Sequence, residues 1–207
     1  MLAQLRANGI RDAAVLEAFS AVPREAFVST ELASRAYDNA PLPIGNQQSI
    51  SQPYIVALMT EALHLKPTDR VLEVGAGSGY AAAILAQIAG EVFTIERFRS
   101  LADSAAAQLH RLGYNNVSVI HGDGTQGWSK EAPYDAIIVA AGGPALPHAL
   151  LEQLRVGGRL VMPVGAQREM QTLIRATKYG DDQIMQEKLA QVRFVPLVGL
   201  SGWDEEA

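Results

Sequence analysis

The strongest chemical signal in the sequence is a glycine-rich turn. Residues 71–80 read VLEVGAGSGY, in which Gly75, Gly77 and Gly79 follow a short apolar run and precede an alanine-rich stretch. Glycine permits tight turns and lets a ligand approach the backbone closely, and a helix that follows would offer free N–H groups in its first turn. We therefore expect a cofactor-binding loop between a strand and a helix.

The spacing of these glycines and the acid before them indicate which cofactor fits. A dinucleotide-binding loop has the spacing G-x-G-x-x-G, whereas here the third glycine comes one position early and Tyr80 stands where that pattern requires glycine. The carboxylate of Glu73 would repel a diphosphate and attract a cofactor with a sulfonium and an ammonium group. The segment resembles motif I of the S-adenosylmethionine-dependent methyltransferases.

Two acidic residues after the next predicted strands strengthen this interpretation. Glu96 comes about 20 residues after the glycine loop, where a carboxylate can accept hydrogen bonds from ribose hydroxyls, and Asp123 follows the third strand. In the methyltransferases that this segment resembles, an acid at the position of Asp123 meets the adenine edge. Either acid alone is also compatible with a solvated strand end or a turn. Their joint placement after successive strands favours an adenosyl cofactor.

A second segment is far more specific than motif I. Residues 44–59 read IGNQQSISQPYIVALM and are similar to the segment before motif I in the protein-L-isoaspartate O-methyltransferases. Further segments resemble that family in the same order, over nearly the whole chain: residues 122–128, 133–139, 153–165 and 193–197. One departure is AAGGP at residues 140–144, where we expect Thr-Ala-Ala or similar. It concerns the fine shape of the substrate mouth and not the reaction.

The resemblance implies a repair enzyme that uses S-adenosyl-L-methionine and leaves S-adenosyl-L-homocysteine. Its partners would be isoaspartyl-containing proteins and peptides, whose free α-carboxylate is methylated. The ester closes to a succinimide, and hydrolysis returns some normal aspartate. Ser51 matches the family's active-site serine, whose hydroxyl would orient the acceptor. The implied cofactor-binding residues are Ser49, Ile50, Glu73, Gly75, Gly77, Ser78, Gly79, Glu96, Arg97, Asp123 and Gly124.

A carboxylate acceptor agrees with an expected site that includes no general base. A carboxylate is already ionised at pH 7, so it needs no general base, only alignment with the donor and removal of water. Ser51 has a second interpretation, because serine is a favoured helix N-cap that contributes about 1 kcal/mol. The two roles are compatible in part, since first-turn N–H groups also favour a carboxylate.

The residue types and their spacing disfavour other chemistries. The chain has no cysteine, which excludes a thiolate zinc site and a cysteine nucleophile, and its four histidines lack metal-ligand spacing, so we expect no metal. Ser78 is not in a hydrolase elbow, which would need glycines at positions 76 and 80. Two alternatives stay open: a methyltransferase for another small-molecule or protein acceptor, and a non-catalytic adenosyl-binding module.

Alternating strands and helices from residue 70 onward predict the fold that must position these residues. Such a pattern is typical of an α/β, Rossmann-like methyltransferase fold, with a mainly parallel central sheet and helices on both faces. Residues 172–179 and 184–194 flank the turn-forming Gly180-Asp181-Asp182 and predict an antiparallel C-terminal pair. The expected parallel strands are residues 70–74, 91–96, 117–121, 134–141 and 159–164, and the expected helices between them are residues 79–89, 98–112 and 147–154.

The N-terminal part looks different. Asp12 is expected to cap one helix, Ser29 or Thr30 a second, and Ser51 a third. We expect one methyltransferase domain over residues 1–207, in which residues 1–65 form a helical cover for substrate and cofactor and residues 66–207 form the Rossmann-like core.

Composition narrows the setting. The chain has 207 residues, 48% hydrophobic and 19% charged, which suits a globular protein without disulfides. Its net charge of -5 and the lack of a basic cluster disfavour nucleic acid. No apolar run has the length of a signal peptide or a membrane span. We expect a cytoplasmic protein that does not bind membranes; its oligomeric state stays open, with a monomer favoured.

Overall fold

A mixed β-sheet forms the centre of the molecule. The computed structural model describes residues 1–167, 170–180 and 183–204. Within them the strands are β1 (Leu42–Gly45), β2 (Gln48–Ile50), β3 (Arg70–Val74), β4 (Glu91–Glu96), β5 (Val117–His121), β6 (Tyr134–Val139), β7 (Leu154–Val164), β8 (Gln171–Gly180) and β9 (Gln183–Val192). Strands β1 and β2 form a small antiparallel hairpin, and the other strands form the central sheet.

The strand order in the central sheet is β5-β4-β3-β6-β7-β8-β9. Neighbouring strands from β5 to β7 run parallel, whereas β8 and β9 are antiparallel additions at one edge. The chain adds β4 and β5 on one side of β3 and then returns to place β6 on its other side. The carboxyl end of β3 therefore lies at a topological switch point, where open parallel sheets bind ligands. The expected fold is confirmed, and the turn residues Asp181 and Asp182 lie outside the described residues.

Helices cover both faces of this sheet. They are α1 (Leu2–Ala7), α2 (Ala13–Ala21), α3 (Pro53–Leu63), α4 (Tyr80–Ala86), α5 (Arg99–Arg111) and α6 (His148–Glu152). Adjacent strand residues point to opposite faces, so Val71 packs in the cluster of α1 to α4 while Leu72 packs with Leu150 of α6. Burial on both faces explains why the parallel strands are continuously apolar. Among the described residues, no helix is long and apolar enough to span a membrane.

The helix starts show where the expected caps hold. Asp12 caps α2 as expected, and its carboxylate accepts a hydrogen bond from the backbone N–H of Val15 at 3.1 Å. Ser51 is not the cap of α3: that helix begins at Pro53, and its N-cap is Gln52, without a side-chain capping bond. The physical reason is Pro53, which fits the first helical position and pushes the residue before it into extended backbone.

The second expected helix also differs. Ser29 precedes a 3₁₀ helix over Thr30–Arg35 rather than an α-helix, and no side chain caps it. The chain then enters the β1–β2 hairpin, in which Ser49 pairs with Pro43 and Ile50 with Leu42. This hairpin delivers residues 49–51 to the edge of the sheet where β3 ends.

Candidate active site

A cavity opens at the carboxyl ends of β3, β4 and β6. It brings together most of the site residues expected from the sequence: Ser49, Ile50, Ser51, Glu73, Gly75, Gly77, Ser78, Glu96, Arg97 and Gly124. Gly79 and Asp123 do not line it. Since the lining comes from the N-terminal hairpin and three strand ends, the sheet topology assembles the cavity from distant parts of the chain.

The glycine loop turns sharply between β3 and α4. The backbone N–H groups of Gly75 and Ala76 both donate to the carbonyl of Ile95, at 2.8 and 3.2 Å. Gly79 has a φ of +87°, and a Cβ there would lie 3.2 Å from Leu109 of α5. Gly79 thus serves close packing of the loop against α5, which explains its position outside the cavity lining.

Glu96 connects the glycine loop to the end of β4. Its side chain is 5% exposed. One carboxylate oxygen, Oε2, accepts from the backbone N–H of Gly77 at 2.9 Å, and Oε1 accepts from the N–H of Phe98 at 3.0 Å. Each carboxylate oxygen can accept more than one hydrogen bond, so Glu96 can hold the loop and still receive hydroxyl groups of a ligand.

Glu73 is a buried acid on the cavity wall. Its Oε2 lies 2.5 Å from Thr94 Oγ1, whereas its Oε1 has no hydrogen-bond partner among the described residues. The pKa of Glu73 is raised to about 8, mainly by burial and to a smaller extent by the nearby Glu96 carboxylate, while the hydrogen bond with Thr94 opposes the rise. A cationic ligand beside this carboxyl group would favour its ionised form, and the unpartnered oxygen could then face the positive charge. The lining therefore fits an adenosyl cofactor with sulfonium and ammonium groups.

Asp123 is placed differently from the expectation. Its Oδ1 accepts from the backbone N–H and the hydroxyl of Thr125 at 2.9 and 2.7 Å, and its Oδ2 accepts from the N–H of Leu200 at 2.9 Å. Instead, the neighbouring Gly124 lines the cavity, where a Cβ would lie 2.4 Å from Val74 Cγ1. The carboxylate of Asp123 thus ties a turn to the C-terminal loop, a role typical of Asp in turns.

Sequence reasoning missed one wall of the cavity. Residues 194–198 line it, and the last strand, expected over residues 184–194, ends at Val192. The Gly142 backbone holds this wall: its N–H donates to the Val195 carbonyl at 2.8 Å, and its carbonyl accepts from the N–H of Leu197 at 2.7 Å. A Cβ on Gly142 would lie 2.9 Å from Gln171 Cδ, so glycine at this position leaves room for Gln171, whose Oε1 accepts a hydrogen bond from the N–H of Phe194 at 2.9 Å.

Ser51 lies where the cavity meets a second groove. It is half-buried and lines both depressions, together with Ser49 and Ala140. The groove is otherwise lined by Pro41, Gln52, Ile55 and residues 191–196. Arg193 carries the formal charge of this lining, which is otherwise neutral within the described residues. A donor in the cavity and an acceptor in the groove would therefore meet beside Ser51.

The described residues include no group of three or more histidine, cysteine, aspartate or glutamate side chains that could hold a metal ion. The histidine nearest the predicted adenine end, His121, is exposed, and its Nε2 lies 3.1 Å from the carbonyl of Arg97. It contacts backbone and does not line the cavity.

Comparisons with known proteins identify the family of the chain. The family model of protein-L-isoaspartate(D-aspartate) O-methyltransferase (PCMT) matches residues 1–202. The chain is 61% identical over 200 residues to protein-L-isoaspartate O-methyltransferase 1 of Rhodopseudomonas palustris strain HaA2. The aligned region covers 97% of this chain and 82% of that protein. It is 58% identical over 200 residues to protein-L-isoaspartate O-methyltransferase 2 of Pelobacter propionicus, with coverages of 97% and 89%.

Two solved structures share the fold over most of the chain. A protein-L-isoaspartate O-methyltransferase is similar with a TM-score of 0.88 at 30% identity; the match covers 97% of this chain but 66% of that chain, just under two thirds. A putative protein-L-isoaspartate O-methyltransferase of Plasmodium falciparum, in complex with S-adenosyl-L-homocysteine, has a TM-score of 0.82 at 28% identity, with coverages of 95% and 96%. The chain therefore belongs to the protein-L-isoaspartate(D-aspartate) O-methyltransferase family.

Proposed function

We propose that this chain transfers a methyl group from S-adenosyl-L-methionine to the free α-carboxylate of L-isoaspartyl residues in damaged proteins. Membership of the family supports the reaction. One observation carries the assignment of the site: Ser51 lies at the junction of a glycine-loop cavity and an open groove. The resulting ester closes to a succinimide, which begins the repair of the residue.

The glycine-loop cavity would hold the cofactor. Glu73 would face its cationic groups, and Glu96 would accept hydrogen bonds from its ribose hydroxyls while it holds the Gly77 backbone. When bound, S-adenosyl-L-methionine supplies a methyl group attached to a positively charged sulfur. Further contacts are assigned to Ser49, Ile50, Gly75, Ser78, Arg97 and Gly124. Asp123 would act through its hydrogen bond with the N–H of Leu200 in the C-terminal loop, and Gly79 through the packing of the glycine loop against α5.

The acceptor side needs alignment more than proton transfer. An isoaspartyl carboxylate arrives ionised, so no side chain has to remove a proton from it. The Ser51 hydroxyl would donate a hydrogen bond to this carboxylate and fix its direction of attack. The apolar side chains around the junction, which include Ile55, Phe194 and Val195, would exclude water. Because opposite charges disappear as the methyl group moves, a poorly solvated site does not oppose the reaction.

We propose one methyltransferase domain in which residues 1–65 cover the cofactor and help form the acceptor groove, while residues 66–207 form the core. The β1–β2 hairpin and the start of α3, which line both depressions, support this division. The net charge of -5 supports protein rather than nucleic-acid or membrane partners. We propose that the chain acts as a monomer in the cytoplasm.

The decisive experiment compares two peptides of the same sequence. One carries an L-isoaspartyl residue and its twin carries normal L-aspartate at that position. With labelled S-adenosyl-L-methionine, we expect label on the isoaspartyl peptide alone, and its release as methanol in mild base because the product is an ester. Equal labelling of the two peptides would contradict the proposal, and so would label that survives base. Binding of the cofactor without transfer to either peptide would favour a non-catalytic adenosyl-binding module.

A further inference from the structure

Arg24 is a buried arginine directly behind the candidate active site. It begins a 3₁₀ helix over Arg24–Phe27, and its side chain has 0% exposure. Its Nη2 donates to the backbone carbonyl of Ser51 at 2.8 Å, and its Nε donates to the carbonyl of Ala36 at 2.7 Å. Its Cζ lies 4.6 Å from the ring centroid of Tyr80. One guanidinium therefore contacts three separate segments of the chain.

The environment of Arg24 is unfavourable for a charge. No ion pair within the described part of the chain includes Arg24, and its Nη1 is buried without a well-formed hydrogen bond. The hydroxyl of the adjacent Tyr80 is likewise buried without a well-formed hydrogen bond, although it interacts with the Arg24 guanidinium. Burial lowers the pKa of Arg24 from its ordinary value, although a guanidinium stays protonated. A buried cation that no carboxylate neutralises costs stability. The contribution of Arg24 is therefore to be sought in the chain segments that its hydrogen bonds connect.

Two of the three segments that Arg24 contacts belong to the two halves of the site. Ser51 lies at the junction with the acceptor groove, and Tyr80 begins α4 immediately after the glycine loop and lines the cofactor cavity. Since Ser51 does not cap α3, its backbone is not fixed by that helix. A planar guanidinium with donors in fixed directions can set the position of one segment relative to the other.

We propose that Arg24 is a positioning residue for methyl transfer, which holds the Ser51 backbone against the start of α4 so that the serine hydroxyl faces the acceptor carboxylate. It touches neither substrate nor cofactor, and it acts through the Ser51 carbonyl. This inference rests on the proposed role of Ser51. Displacement of a positioned group by about 1 Å can reduce turnover by about 100-fold, so loss of one directed hydrogen bond is measurable.

A double-mutant cycle tests the proposal. Arg24→Lys keeps the positive charge but cannot donate to both the Ser51 and Ala36 carbonyls in the guanidinium geometry. In the wild-type background we expect Arg24→Lys to reduce kcat on an isoaspartyl peptide by about tenfold, the loss expected when the Ser51 hydrogen bond itself is removed, with KM for the cofactor nearly unchanged. In the Ser51→Ala background the same substitution should reduce kcat by less than about threefold. An equal reduction in both backgrounds, or an unchanged kcat in the first, would overturn the proposal.

A matched control separates positioning from general stability. Arg70 also donates to a backbone carbonyl, that of Glu131 at 3.0 Å, but it lies at the amino end of β3, away from the cavity. Arg70→Lys should leave kcat unchanged even where it lowers the unfolding temperature. If Arg24→Lys fails to fold, as judged by the absence of a cooperative thermal unfolding transition, Arg24→Gln replaces it in the cycle, because this variant buries no charge.

Failure of the inference is distinguishable from failure of the proposed function. A wild-type chain that methylates no isoaspartyl peptide contradicts the function. A wild-type chain that methylates it, combined with additive effects of the substitutions at Arg24 and Ser51, contradicts only the role of Arg24.

Discussion

The cofactor side and the acceptor side of the site are built in different ways. The centre of the cofactor side is continuous in sequence: β3, the glycine loop and the start of α4 follow one another, and the ends of β4 and β6 and the β1–β2 hairpin complete the cavity around them. The acceptor side is assembled from distant segments, since Ser51, Ala140 and residues 191–196 meet only in the folded chain. A short motif therefore determines the centre of the first half, whereas the second half depends on tertiary contacts throughout.

This difference predicts how each half responds to substitution. The cofactor side depends on a few polar groups that make several contacts each, as Glu96 does with Gly77 and Phe98. The acceptor side depends on the placement of Ser51, which one buried arginine helps to fix. Substitutions on the first side should change cofactor affinity, and substitutions on the second should change turnover.

The largest expected effect is on the cofactor side, at Glu96. Glu96→Ala removes the acceptor of two backbone N–H groups and the proposed ribose contacts. We expect cofactor binding to weaken by about 1.5–3 kcal/mol, the range for hydrogen bonds to a charged group, which calorimetry with S-adenosyl-L-homocysteine measures. Glu91→Ala is the control, since Glu91 is exposed at the opposite end of β4. Unchanged affinity in Glu96→Ala would mean that the ribose assignment is wrong.

Ser51→Ala examines the acceptor side. Loss of one hydrogen bond to a carboxylate should reduce kcat by about tenfold, near 1.5 kcal/mol, while cofactor affinity stays nearly constant. Steady-state assays with an isoaspartyl peptide measure kcat, and calorimetry with S-adenosyl-L-homocysteine measures cofactor affinity. Ser49→Ala is a neighbouring comparison, because Ser49 lines both depressions but is not assigned to orient the acceptor. A variant of Ser51 with full turnover would contradict its assigned role.

The contrast between the two sides also explains what the sequence could predict. The parallel strands and the glycine loop were recognisable because their signals lie within a few consecutive residues, as in Arg70–Val74 and residues 75–79. The contacts between Arg24 and Ser51 and between Gly142 and Leu197 join residues far apart in sequence. No local pattern carries such contacts, so the acceptor side was accessible only through its resemblance to a family.

Asp123 shows the same limit on the cofactor side. The sequence predicts correctly that Asp123 follows the strand now labelled β5. Its carboxylate, however, accepts hydrogen bonds from Thr125 and Leu200. The following Gly-Thr was a local signal for a turn held by the Asp side chain. The partner from the C-terminal loop could not be inferred, because the sequence does not say where that loop returns.

A pH titration sharpens the comparison through Glu73. Because its pKa is raised to about 8 in the free protein, a cationic ligand must displace its proton to pair with the carboxylate. Affinity for S-adenosyl-L-methionine should therefore decrease as pH falls below about 8, by at most about tenfold per pH unit, and level off above it. Turnover limited by the acceptor side at saturating cofactor should not follow this curve.

The control for this titration is Glu73→Gln, which keeps a hydrogen-bonding group beside Thr94 but cannot ionise. Titration of the ligand's own amino group is common to both proteins, so the difference between their curves isolates Glu73. Parallel curves for Glu73→Gln and the wild-type chain would mean that Glu73 does not exchange its proton for the cofactor's charge.

The smallest expected effect lies at the outer end of the acceptor groove. Arg193 is exposed and carries the charge of an otherwise neutral lining within the described residues. Exposed charge pairs contribute up to about 1 kcal/mol, so Arg193→Gln should raise KM by about two- to threefold for an isoaspartyl peptide with glutamate beside the damaged residue. For the same peptide with glutamine there, KM should stay constant, and kcat and cofactor affinity should not change for either. Added salt should remove the difference in KM between the two peptides in the wild-type chain, because it screens exposed charges.

An equal effect of Arg193→Gln on both peptides would show that Arg193 contributes packing rather than charge. A change in cofactor affinity would show that the cofactor and acceptor sides are not separable at this position.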